Sequence, residues 1–163
     1  MNLVVRGATI DWGGGARPCA LGRAGIAVKR GEGDGVTPLG TFPLRRVLYR
    51  PDRIARPKSA LPVSAIAPAD GWCDAPDDPA YNTRIRRPCR ASHESLWRED
   101  RLYDLVVVVG FNDAPVVPGA GSAIFLHVAR PDYAPTEGCV ALALADLTRL
   151  LAEGVTVLHV LAN

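Results

Sequence analysis

"AIFLHVARPDYAPTEGCVALALADLTRLLAEG" (residues 123–154) changes its apolar period partway along. AIFLHVA (123–129) is a short apolar run that stops just before Pro131, so it reads as a strand. ALADLTRLLAEG (143–154) repeats leucine at 144, 147, 150 and 151, the spacing of one helix face. Asp146 falls in the first turn of that helix, where the dipole favours an acid, and Gly154 marks its C-cap. Between strand and helix lies a polar, proline-marked link, with His127 at the end of the strand run and Cys139 in a turn marked by Gly138.

The strand signal recurs outward. NLVVRG (2–7), AGIAVKR (24–30), TFPLRRVLY (41–49), DLVVVVG (104–110) and VTVLHVLA (155–162) are β-branched or alternating runs. They are bounded by glycine and proline clusters, GGGARP (13–18), GEGDGVTPLG (31–40) and VVPGAGS (116–122). Short strands with turn signals and one main helix after Cys139 imply a mainly β chain, a sandwich or barrel, in one domain over 1–163. Residues 51–90 are rich in Pro, Asp and Arg without a sustained period, and long irregular stretches inside a domain are usually functional. The part from 68 to 90, with four arginines and the aromatic pair Trp72 and Tyr81, is expected beside the cleft, contributing substrate contacts. ASHESLWRED (91–100) is expected to add a short helical turn with Ser92 as N-cap.

Composition excludes several classes. The chain has 163 residues, 48% apolar, with a formal charge of +2, which is an ordinary globular balance. No apolar run, LVVVV (105–109) included, approaches the roughly 20 residues of a membrane span. MNLVVRGATIDW reaches Arg6 and Gly7 too soon for the apolar core of a signal peptide. Basic residues are almost all arginine, 17 against two lysines. A small net charge without a recognition module argues against nucleic-acid binding, and leaves either a solvated arginine face or a pocket for carboxylates.

Cys19, Cys73, Cys89 and Cys139 contain no C-x-x-C pair, and no second His or Cys stands at ligand spacing, so no metal site is expected. Cys73 and Cys89 flank a loop-rich stretch and are either free buried thiols or a disulfide of an oxidising compartment. Cys139 differs in its setting. Just ahead of a helix, a cysteine feels oriented N–H groups that lower its pKa, and a neighbouring histidine takes its proton. Gly138 lets the backbone approach a substrate carbonyl, with the amides around 138–140 aimed at a developing oxyanion.

HVARPDYAPTEGCVAL (127–142) resembles the signature of the YkuD-type L,D-transpeptidase catalytic domain, a histidine followed by S/T-x-G-C-[IV]-R-[LM]. The matching residues are His127, Thr136, Gly138, Cys139, Val140 and Leu142. A second match lies about a hundred residues upstream, where Thr37, Pro38, Gly40 and Phe42 fit the family's T-P-x-G-x-F segment. The resemblance covers roughly 24–152. It implies a mainly β catalytic domain that needs no cofactor, with peptidoglycan stem peptides as substrate. In that family a cysteine attacks the bond between the L-centre of a diamino acid and D-alanine, D-alanine leaves, and an amine of a second stem resolves the thioester into a cross-link. By the same resemblance Cys139 is the nucleophile, His127 the general base, Val128 the carbonyl that orients the ring, and carbapenems are covalent inhibitors. It also implies a periplasmic or envelope location, where peptidoglycan is cross-linked.

The chain departs from the family pattern at Ala141, where the family has arginine, and in a short link of 12 positions between His127 and Cys139. Arg84, Arg86 or Arg130 is a candidate replacement cation, each also readable as solvated surface. Thr136, Glu137, Tyr81, Asn82 and Asn112 are further candidates for substrate contact. Asn112 with Asp113 is equally turn chemistry, and Glu137 equally solvent-facing. His159 in a terminal strand and His93 at a helix start are read as structural and exposed. Three functions remain open: a cross-linking acyltransferase, an L,D-carboxypeptidase or amidase that gives the acyl group to water, and a non-catalytic envelope-binding module.

Overall fold

Residues 1–163 are described by a computed structural model. Fourteen strands and one helix follow in order: β1 (Asn2–Arg6), β2 (Thr9–Asp11), β3 (Arg17–Pro18), β4 (Ile26–Ala27), β5 (Thr37–Pro38), β6 (Gly40–Tyr49), β7 (Val63–Ala65), β8 (Asp70–Cys73), β9 (Arg84–Arg86), β10 (His93–Ser95), β11 (Leu105–Val109), β12 (Phe125–Val128), β13 (Val140–Leu142), α1 (Leu144–Ala152) and β14 (Val157–Leu161). The main sheet runs β13-β12-β11-β6-β14-β1-β2-β3, with β7 also paired to β6. Ala20, just past β3, exchanges two backbone hydrogen bonds with Ala141 of β13, at 2.7 and 2.9 Å. The two ends of the sheet therefore meet, and it closes almost into a barrel. The chain is mainly β with one helix, as its strand and turn signals imply.

Side chains alternate between the two faces of a strand, and this period sorts the main sheet. Leu105, Val107 and Val109 of β11, Leu126 and Val128 of β12, and Val140 and Leu142 of β13 join one core with Leu147, Leu150 and Leu151 of α1. Val106, Val108, Phe125 and Cys139 join a second core with Trp72, Leu96 and Tyr103. LVVVV is thus a continuous apolar run because β11 is buried on both faces. The helix ends as its sequence suggests: Gly154, at φ 86°, follows the last turn and donates to Leu151.

Two expectations fail, for one reason. Residues 91–100 form no helical turn. His93–Ser95 is instead a strand, β10, paired antiparallel with β8 through His93–Cys73, Glu94–Trp72 and Ser95–Gly71. Ser92 caps nothing, and its carbonyl accepts the Asp74 N–H at 3.2 Å. Likewise 51–90 contains β7, β8 and β9, and β8 is entirely buried. Strands of three or four residues are too short to show a period, and partners distant in sequence override local preference.

Candidate active site

Parallel pairing of β12 with β13 places Leu126 opposite Val140 and His127 opposite Ala141. Phe125, His127, Cys139 and Ala141 accordingly point to the same side of the main sheet. A strand spacing of ~4.8 Å and a two-residue rise of ~6.6 Å put the Cα atoms of His127 and Cys139 on the order of 8 Å apart, diagonal neighbours on one face. Both side chains line a cavity of about 480 Å³.

The Cys139 sulfur is nearly buried, 8% exposed for the residue. It accepts the Phe125 N–H at 3.3 Å and donates to the Ala123 carbonyl at 3.2 Å. A sulfur that donates is a thiol. Burial, with the negative charge of Glu94 as a second cause, pushes its pKa up to about 12. The sequence expectation of a lowered pKa is therefore overturned. β13 intervenes between Cys139 and α1, so the helix entrance is not at the sulfur, and desolvation outweighs the Phe125 bond.

His127 is 5% exposed, and its Nδ1 lies 2.9 Å from the Val128 carbonyl. A carbonyl only accepts, so Nδ1 carries the proton and Nε2 holds the lone pair. The ring edge packs on Tyr103, with centroids 5.3 Å apart at 75°. Burial lowers the His127 pKa to about 4, against the Val128 bond, which raises it. At neutral pH the pair is a neutral thiol and a neutral imidazole.

The two sequence motifs meet at the nucleophile turn. The Thr37 hydroxyl donates to the Gly138 carbonyl at 2.9 Å and accepts the Gly22 N–H at 2.8 Å. Thr136 donates to the Cys139 carbonyl at 2.6 Å and accepts the Gly138 N–H at 3.1 Å. Gly138 sits at φ 145°, and a Cβ there would lie 2.8 Å from the Val36 carbonyl, so no side chain fits. Of the amides expected to face an oxyanion, that of Gly138 is spent on Thr136, whereas the Cys139 N–H has no protein acceptor.

The remaining sequence candidates divide. Thr136, Glu137 and Arg130 line the cavity. Glu137 is exposed and lies 3.6 Å from Arg23, while Arg130 forms no ion pair. Asn82, Tyr81, Asn112 and Arg84 are not in the lining. Asn82 is a buried hub: its Oδ1 accepts Trp72 Nε1–H and the Ala123 N–H, and its Nδ2 donates to the Phe111 and Asn112 carbonyls. It pins Ala123, whose left-handed φ of 54° aims the carbonyl that receives the thiol. Tyr81 donates to Glu32 and accepts the Gly121 N–H, and Asn112 closes its own loop onto Val117 and Gly121. These residues hold the connection from β11 to β12.

Arg84 is held by Asp70 at 2.5 Å and by the Ala65 carbonyl, away from the cavity. The stretch from 68 to 90 does lie beside the cleft, through Asp74 in the lining and Trp72 packed edge-on against Phe125, but its arginines do not reach it. Elsewhere, His159 bonds Thr41 and Asp113 pairs with Arg45. His93, expected to be exposed, is half-buried on β10 and lines the cavity. All four cysteines are free thiols.

Sequence reasoning missed Lys29, Glu32, Glu94, Arg98 and Tyr103, which complete the wall. None sits in a motif, and only the packing of β10 and its flanks over β12 brings Glu94 and Tyr103 into the cavity that Cys139 lines.

A family model of the YkuD L,D-transpeptidase catalytic domain matches residues 3–157, more of the chain than the two motifs span. A search of curated proteins finds no match.

Proposed function

Because the chain belongs to the L,D-transpeptidase catalytic domain family, we propose that it cross-links peptidoglycan by a Cys139 acyl-enzyme. The observation that carries this reading is the shared cavity of Cys139 and His127, with Nδ1 fixed by Val128 so that Nε2 is free to take a proton. His127 takes the thiol proton as sulfur bonds to the stem-peptide carbonyl, and the Cys139 N–H stabilises the oxyanion. His127 then gives that proton to the departing D-alanine nitrogen as the C–N bond breaks, leaving a thioester. The amine of a second stem attacks the thioester, its proton passes through His127 to the sulfur, and Cys139 is regenerated.

With the thiol high and the imidazole low in pKa, a standing ion pair is disfavoured, so proton transfer accompanies attack instead of preceding it. Arg130, the lining arginine without a carboxylate partner, suits the carboxylate of the stem, and Glu137 at the rim suits a substrate amine. A carbapenem acylates the same sulfur. The substrate places the protein in the periplasm or cell envelope. No helix is long and apolar enough to cross a membrane.

Incubating purified protein with sacculi, then digesting them and separating the muropeptides, tests the reading. New dimers joined between two diamino acids are expected. Shortened monomers alone would replace transfer by hydrolysis, and an unchanged profile would leave a binding module.

A further inference from the structure

Lys29 is one of only two lysines in the chain, and its side chain is 3% exposed. Burying an ammonium is costly unless its N–H groups find acceptors. Two of the three do: Nζ donates to Asp34 at 2.6 Å and to the Val36 carbonyl at 3.2 Å. The third has no protein acceptor, yet Lys29 lines the cavity that holds Cys139 and His127. Asp34 stays outside that lining, and its carboxylate also accepts the N–H groups of Arg30, Gly31 and Val36. The ammonium, and not its counter-ion, therefore belongs to the cavity wall.

Two glycines make room for it. A Cβ on Gly121 would meet Lys29 Cε at 2.6 Å, and a Cβ on Gly138 would lie 3.6 Å from Nζ. Lys29 is thus threaded between the segment that presents the Ala123 carbonyl to the sulfur and the turn that carries Cys139. The Cys139 N–H, one residue beyond Gly138, has no protein acceptor either. Two unused donors, one of them charged, meet at one turn. No other cation is placed in this way. Ala141 brings none from β13, and Arg98 is held by Asp100 at 2.9 and 2.7 Å. Burial and Glu94 raise the Cys139 pKa, and Lys29 is the cation that acts against them.

We propose that Lys29 is a catalytic residue of the Cys139 centre: its free N–H joins that of Cys139 in holding the negative oxygen that forms when the sulfur adds to a carbonyl. This rests on Cys139 as the nucleophile. The carbonyl π pair moves onto oxygen as the S–C bond forms, is held there by the ammonium, and returns as the leaving group departs. Lys29 keeps its proton throughout.

Two reagents that modify the same sulfur separate this role from that of a loop anchor. p-Nitrophenyl acetate acetylates a cysteine through a tetrahedral oxyanion, with nitrophenolate leaving, whereas iodoacetamide alkylates it by displacing iodide and forms no oxyanion. Both rates are read at Cys139 by peptide mass, at one pH, in the parent protein, Lys29→Met and Lys29→Gln. Thiolate fraction and access enter both rates, so the ratio of acetylation to alkylation reports the oxyanion. That ratio is expected to fall about 10²-fold in Lys29→Met, the usual effect of losing one oxyanion donor. In Lys29→Gln, which keeps a neutral N–H, the fall is about tenfold. An unchanged ratio in Lys29→Met, even with both rates altered, makes Lys29 a loop anchor and overturns the proposal. If Lys29→Met fails to fold, Lys29→Gln decides, and an unchanged ratio there overturns it equally. Alkylation of Cys139 in the parent without any acetylation also overturns it. Neither reagent is a peptidoglycan fragment, so the outcome is independent of whether the protein cross-links stems.

Discussion

Cys139→Ala abolishes turnover while the fold is retained. The expected loss is on the order of 10⁴-fold or more, because the cysteine forms the covalent bond and no neighbouring side chain replaces it. Cys19 and Cys73 are buried thiols, and neither they nor Cys89 line the cavity. Cys139→Ser is expected to be nearly as inactive, since a hydroxyl beside the same neutral imidazole is a weaker nucleophile than a thiol. The sulfur makes one weak bond in each direction, to Phe125 and Ala123, so the alanine protein should melt within a few degrees of the parent. Dimer formation on sacculi and a thermal melt, run together, separate lost chemistry from lost structure. Undiminished dimer formation in Cys139→Ala would mean that cross-linking does not pass through a Cys139 acyl-enzyme.

His127→Ala is expected to cost about 10²- to 10⁴-fold in activity, the usual worth of general-base assistance. The same variant carries a second signature, in stability. The folded-state pKa of His127 lies near 4, below the ordinary 6.5, so the unfolded chain binds the proton more readily. Stability referable to this residue is intact above about pH 6.5 and is lost progressively as pH falls towards 4, where roughly 3 kcal/mol is gone. Denaturant midpoints measured between pH 4 and 7 should slope upward in the parent, and less steeply in His127→Ala. Equal slopes would mean that the ring is solvated and protonated in the fold.

Much of this was legible because it is local. The leucines at 144, 147, 150 and 151 report one helix face, and Thr136, Gly138 and Cys139 report a turn whose hydrogen bonds span three residues. The T-P-x-G-x-F segment was legible as a motif, and its physical reason is the Thr37 bond to Gly138. What was not legible depends on pairing at a distance. β10 has no period to detect, so Glu94 reads as part of a helical turn, and nothing in ASHESLWRED places it in the wall of a cavity shared with a cysteine 45 positions on. Tyr81, Asn82 and Asn112 looked like cleft residues because polar loop residues often are. Their side chains are consumed in holding the backbone that presents Ala123. The thiol pKa is not legible in sequence, because a helix close in sequence need not be close in space and burial at Cys139 comes from residues far along the chain.

A thioester on Cys139 is detected most directly in the mass of the protein during turnover. The protein is mixed with a disaccharide tetrapeptide stem, quenched in acid within seconds, and digested for peptide mapping. An adduct equal to the stem less D-alanine is expected on the peptide containing Cys139, absent from Cys139→Ala and discharged when an acceptor amine is added. Cross-linked product forming without that adduct, or with the adduct on another residue, would contradict a Cys139 acyl-enzyme.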